Sequence, residues 1–143
     1  MAPGATIIIA CHDLMFRSKV EATLRHMGLA SRALTPGSDP GAAMTPERPA
    51  AVIVDLGLPE ERWREVVAAA RAADPPLPVL AFGSHVDRAS QQAARAAGCA
   101  LVVANSRLAR ELPALVERLL APRPPGPLPA NLDVPFSRRR RTP

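Results

Sequence analysis

Asp55 is the residue with the clearest chemical potential. It closes an apolar run, Ala50–Val54, that starts after Pro49 and gives way to Gly57 and Pro59. A carboxylate at such a point can accept a transferred group, ligate a cation, or bond backbone N–H groups and cap a loop. Three other apolar runs end on polar residues in the same way. Thr6–Ala10 gives way to Cys11-His12-Asp13, Leu77–Phe82 to Gly83-Ser84-His85, and Ala100–Ala104 to Asn105-Ser106. Cys11, His12, His85 and Asp55 are types that Zn²⁺ accepts, although no short metal-binding spacing links them. Ser84 with His12 as base would suit acyl transfer, but nothing resembles a nucleophile elbow or an oxyanion loop. No GxGxxG or GxxxxGK[ST] follows any of the runs, so a phosphate-cradling loop is not indicated.

These residues converge only if the fold brings the ends of the runs together. The runs are short and rich in β-branched residues, as expected of strands buried on both faces of a parallel sheet. The reading gives β1 (6–10), β2 (29–35), β3 (51–55), β4 (77–82) and β5 (100–104). Between them lie amphipathic or Ala-rich stretches. The first is α1 (14–27), with Phe16, Val20, Leu24 and Met27 on one stripe, Asp13 as its N-cap and Gly28 as its stop. A short α2 (41–44) sits among four prolines. In α3, Pro59 occupies the first turn and Trp63, Val66, Val67 and Ala70 face the core; Trp63 reads as packing. Asp87 caps α4, which runs to Ala97 and stops at Gly98. The last helix, α5, is framed by Ser106 and Glu111, with Leu108, Leu112, Leu115, Val116 and Leu119 inward. Five strand–helix alternations predict an α/β, flavodoxin-like three-layer sandwich around a five-stranded parallel sheet of order 2-1-3-4-5. In that order the polar residues listed above share the carboxyl end of the sheet, where such folds place their sites.

Composition narrows the classes. The 143 residues suit one domain, here 1–121, followed by a Pro/Arg-rich tail, 122–143. Three Phe, one Trp and no Tyr leave little surface for stacking bases. Two cysteines far apart fit a reducing compartment better than a disulfide scaffold. The tail's five arginines and Asp133 account for +4 of the net +5, so the body is nearly neutral. Neither a membrane-spanning run nor a signal-peptide pattern is seen, and a cytoplasmic location without membrane insertion is expected. The tail begins Pro122-Arg-Pro-Pro-Gly-Pro-Leu-Pro129, a spacer composition, and is expected to be disordered. Its Arg138, Arg139, Arg140 and Arg141 could make weak, salt-sensitive contact with nucleic acid or another anionic surface.

The body resembles a response-regulator receiver domain. Val54-Asp55-Leu56-Gly57-Leu58-Pro59 is similar to the family's phosphoacceptor strand and loop, and Ala96-Ala-Gly98 before β5 and the closing amphipathic helix extend the likeness over roughly residues 5–120. The resemblance implies that Asp55 is the phosphoacceptor, served by a histidine kinase. In the family an acidic pair after β1 holds Mg²⁺, with a Thr or Ser after β4 and a Lys before Pro after β5. Here the acidic pair falls on Cys11 and His12, the hydroxyl on Gly83, the Lys on Asn105, its Pro on Ser106, and the β5 aromatic on Val102. Asp13 and Ser84 each lie one residue late, and Arg107 is a nearby substitute charge. Phosphoryl transfer needs a hard cation and fixed positive charge, and this set supplies neither. The expectation is therefore a pseudo-receiver. It would be non-enzymatic, without metal or cofactor, and would bind a protein partner or a second copy of itself through the α4-β5-α5 face. The alternatives are a phosphorylatable receiver and an Arg-tailed nucleic-acid-associated factor.

Overall fold

The computed structural model describes residues 4–46 and 48–122. The tail arginines, Arg138 to Arg141, lie outside the described residues. The elements are β1 (Thr6–Ala10), α1 (Leu14–His26), β2 (Ala30–Ala33), α2 (Pro40–Ala43), β3 (Ala51–Asp55), α3 (Glu60–Ala72), β4 (Val79–Gly83), α4 (Arg88–Ala96), β5 (Leu101–Ala104) and α5 (Asn105–Leu120). Every strand pairing is parallel, and the sheet order is β2-β1-β3-β4-β5. This is the flavodoxin-like arrangement expected from the alternation.

Strand alternation divides the core into two layers. Ile7, Ile9, Ile53, Leu80, Phe82 and Val103 face α1 and α5, where Val20, Leu24, Leu108, Leu112 and Leu115 meet them. Ile8, Val52, Val54, Ala81 and Val102 face the other way, onto Trp63, Val66, Val67 and Ala70 of α3 and Ala94 of α4. The central strands β3 and β4 are buried at every position, which explains why both read as continuous apolar runs rather than alternating ones.

Local chemistry sets the ends of the helices. Asp13 accepts a hydrogen bond from Phe16 N at 3.1 Å and Asp87 one from Ser90 N at 3.1 Å, each satisfying a first-turn donor. Gly28 and Gly98 have φ of +80° and +104°, the left-handed conformation that ends a helix. Several boundaries differ from expectation: β2 is shorter than 29–35, running Ala30–Ala33, and β4 runs Val79–Gly83 instead of 77–82. Pro59 precedes α3 as its cap instead of sitting in its first turn. The helix α2 is a single turn that starts at Pro40. Arg32 holds it by donating to Ala43 O (2.9 Å), while Arg62 secures the preceding loop through Ser38 O (2.9 Å) and Thr35 O (3.0 Å). Finally, α5 starts at Asn105 and carries Pro113 inside it, with Glu111 at φ −122°, ψ 20°. A proline lacks the N–H for the bond to the carbonyl four residues back, so the helix kinks there and resumes with its apolar stripe still inward. Among the described residues, no helix is long and apolar enough to cross a membrane.

Candidate functional site at the carboxyl edge of the sheet

The register of β1 against β3 pairs Ala10 with Val54, which brings the next residues, Cys11 and Asp55, to neighbouring strand ends. Asp55 is 4% exposed and is the one buried charged residue among those described. Buried carboxylates must be hydrogen-bonded, and this one is. Oδ1 accepts from Gly57 N at 2.8 Å, an Asx turn within its own loop. Oδ2 accepts from His12 N at 3.2 Å, meets His12 Nδ1 at 2.5 Å and lies 3.5 Å from Cys11 Sγ. The β1–α1 and β3–α3 loops are thus tied through one side chain.

His12 spans the boundary between protein and solvent. Its side chain is 57% exposed, while its partner's is 6% exposed. The imidazole lies over Gly57, where an added Cβ would come within 2.8 Å of His12 Cε1 and 3.0 Å of Asp55 Oδ1. A residue without a side chain is therefore needed at 57 for the ring to reach the carboxylate. Cys11 is half-buried and its thiol can also donate to Asp13 O at 3.5 Å. Burial, followed by the nearby Asp55 carboxylate, outweighs the lowering effect of the Asp13 backbone bond and pushes the thiol up to about 11. Cys11 therefore stays a protonated donor and is a poor thiolate nucleophile or ligand.

The other residues of the predicted cluster do not join this group. The carboxylate of Asp13 is committed to capping α1, so no local shift restores an acidic pair. The Ser84 hydroxyl accepts from Val86 N (3.3 Å), and its carbonyl accepts from Gln91 Nε2 (2.9 Å), closing the β4–α4 turn. His85 is exposed in that turn. Gly83 is buried, and a Cβ there would stand 3.1 Å from Leu56 Cβ. A hydroxyl-bearing residue at 83 thus has little space. Asn105 and Ser106 are exposed at the start of α5. Arg107 pairs with Glu111 at 3.2 Å, and Lys19 is exposed on α1.

The four-residue Zn²⁺ set is accordingly not assembled. Among the described residues, no group of three or more His, Cys, Asp or Glu could hold a metal ion. With His12 Nδ1 at 2.5 Å from Oδ2, there is no room for an ion between them. Nor do a thiol and an imidazole fit a hard oxygen-seeking cation such as Mg²⁺. Sequence reasoning listed His12 as a displaced member of a pocket and missed its role as the partner of Asp55. It also missed Gly57 as a donor, although Asp-x-Gly is itself the signature of an Asx turn.

No family model matches the sequence, and no curated protein matches it. Solved structures do. A response regulator receiver protein from Burkholderia phymatum superposes with a TM-score of 0.68 at 24% identity, over 85% of this chain and 98% of that one. The chemotaxis response regulator CheY4 of Vibrio cholerae gives 0.69 at 20% identity over 82% and 99%. The receiver domain of the sensor histidine kinase PA1611 from Pseudomonas aeruginosa PAO1, which has a magnesium ion coordinated in its active-site cleft, gives 0.71 at 19% identity over 83% and 99%. This chain has the fold of response-regulator receiver domains.

Proposed function

We propose that this protein is a signalling module of receiver type that acts by binding a protein partner and does not depend on phosphorylation of Asp55. One observation carries the reading: the Asp55 carboxylate is buried and occupied by its own chain, with His12 where a cation would be needed. To accept a phosphoryl group, Asp55 would have to give up these bonds in a pocket without a hard-cation site. Losing preorganised charge stabilisation costs phosphoryl transfer a few kcal/mol. On this reading the protein is not an enzyme, works in the cytoplasm and uses the α4-β5-α5 face to bind a partner or a second copy. Arg110, exposed on α5, is the residue to reverse; Arg110→Glu should weaken association without unfolding the domain. The Arg138–Arg141 segment adds weak contact with an anionic partner, lost on deletion of residues 122–143 and on raising salt.

The test is intact mass of the full chain after acetyl phosphate and Mg²⁺. The expected result is no hydroxylamine-labile phosphoryl adduct. Such an adduct, absent from Asp55→Asn, would restore the alternative of a phosphorylatable receiver.

A further inference from the structure

The groove between α2 and α3 has two unlike halves. Glu61, Glu65, Ala69 and Ala72 recur along α3 at spacings of four, four and three, so they share one helical face. Toward the end of α3 this face borders a cleft of about 420 Å³, whose other walls include Met44, Pro49, Pro75 and Leu77. Toward the start of α3 it borders a polar cleft shared with Asp39 and Arg62. Pro40 lines the polar cleft and Gly41 the apolar one, so the two adjoin across α2. Arg62 directs its guanidinium to Ser38 O, Thr35 O and Glu65. Among the described residues, no hydrogen bond or ion pair engages the Glu61 carboxylate. The polar half therefore sets three carboxylates, Asp39, Glu61 and Glu65, against one guanidinium.

The chain beyond the described residues carries the complementary properties in matching order. Leu128, Leu132, Val134 and Phe136 come first, and Arg138–Arg141 follow. The point of departure also fits. The last helix, α5, runs back from the carboxyl edge of the sheet and ends at Leu120 on the opposite edge, where Pro49 and Pro75 lead into β3 and β4 beside the apolar cleft. Crossing from the α5 layer to the α3 layer is about 20 Å, and residues 123–136 can span about 40 Å. Ala69 lies about 12 Å along the helix from Glu61, close to the roughly 13 Å that the extended chain covers from Phe136 to Arg140. From this correspondence we propose that residues 128–141 dock into the α2–α3 groove of their own chain. The apolar residues enter the cleft beside Met44 and Leu77, and the arginines meet Asp39, Glu61 and Glu65. A tethered segment is present at high effective concentration, so modest contacts suffice to hold it. Docking withholds the arginines from an anionic partner. The groove is separate from the α4-β5-α5 face, so the inference goes beyond the binding role and does not depend on it.

The test is the amide spectrum of the full chain at low salt. Reversing the tail charge with Arg138→Glu, Arg139→Glu, Arg140→Glu and Arg141→Glu together should shift resonances of residues 39–45 and 61–69. Glu61→Lys with Glu65→Lys should shift those of residues 136–141. Combining the two sets restores attraction with the signs exchanged, and should return both groups of resonances toward their original positions. Phe136→Ser, outside the folded body, should shift the resonances around Met44 and Leu77. Raising the ionic strength to about 0.5 M should remove the arginine-dependent shifts and keep the Phe136-dependent ones. Circular dichroism confirms that each variant is folded. Groove resonances unmoved by the tail substitutions, or no recovery in the charge-exchanged chain, would overturn the inference. Shifts that fade on tenfold dilution would place the segment on a second copy and overturn its assignment to its own chain. None of these outcomes bears on phosphorylation of Asp55.

Discussion

The two halves of the pocket are made of the same kind of loop, and they are built in opposite ways. On the β1–β3 side, Cys11, His12 and Gly57 all turn inward onto Asp55. On the β4–β5 side, Ser84 closes its own turn, Asn105 and Ser106 are exposed, and Leu56 fills the space beside Gly83. One half is a closed hydrogen-bond network and the other contributes nothing to it. A phosphoryl-transfer site needs both halves converging on the incoming group. The difference shows that the buried carboxylate serves as an internal tie between two loops.

The contrast is broken most strongly at its centre. Asp55→Ala should orphan the N–H groups of His12 and Gly57 and cost about 2–3 kcal/mol in urea unfolding. Ser84→Ala and Asn105→Ala should each stay within about 0.5 kcal/mol. Comparable losses on the two sides would mean that the open half is also structural.

A second effect follows from the thiols. Burial raises Cys11 from 9.0 to about 11, and burial raises Cys99 to about 12 despite the lowering effect of Arg71. The folded state therefore holds these protons at pH values where the unfolded chain has released them. The associated stability is fully present below pH 9.0 and is lost as pH rises through about 11 and then about 12. Denaturant midpoints measured upward from pH 8 should fall with pH, and Cys99→Ala should flatten the fall. An unchanged slope would contradict the burial of this thiol.

The smallest change sharpens the closed half. Gly57→Ala places a Cβ 2.8 Å from His12 Cε1. Because the ring is more than half exposed, it can swing outward, and the expected cost is about 1 kcal/mol or less. The readout is the His12 ring resonance, which should move toward that of a solvent-exposed histidine while the remaining amide spectrum is retained.

Much of this was legible in the sequence because burial imposes a pattern. The β-branched runs, the stops at Gly28 and Gly98 and the caps Asp13 and Asp87 led to the sheet order and to the common edge of the polar residues. The α2 region was less legible, since four prolines remove the periodicity and its anchors, Arg32 and Arg62, come from distant elements. The Pro113 kink was missed because the apolar stripe of α5 runs through it unbroken. At the site, spacing located Asp55 but not what it touches. The His12 contact depends on the β1–β3 register and on the missing side chain at Gly57, neither of which a list of residue types contains.

The most direct measurement is the amide spectrum of the full chain with and without beryllofluoride and Mg²⁺, using Asp55→Asn as control. If Asp55 is an internal tie held by His12 and Gly57, the resonances around residues 11–13, 55–58 and 83–84 stay in place. Shifts centred on Asp55 and propagating into β4, α4 and β5, absent in Asp55→Asn, would show that the pocket still opens to a phosphoryl mimic and would contradict the account.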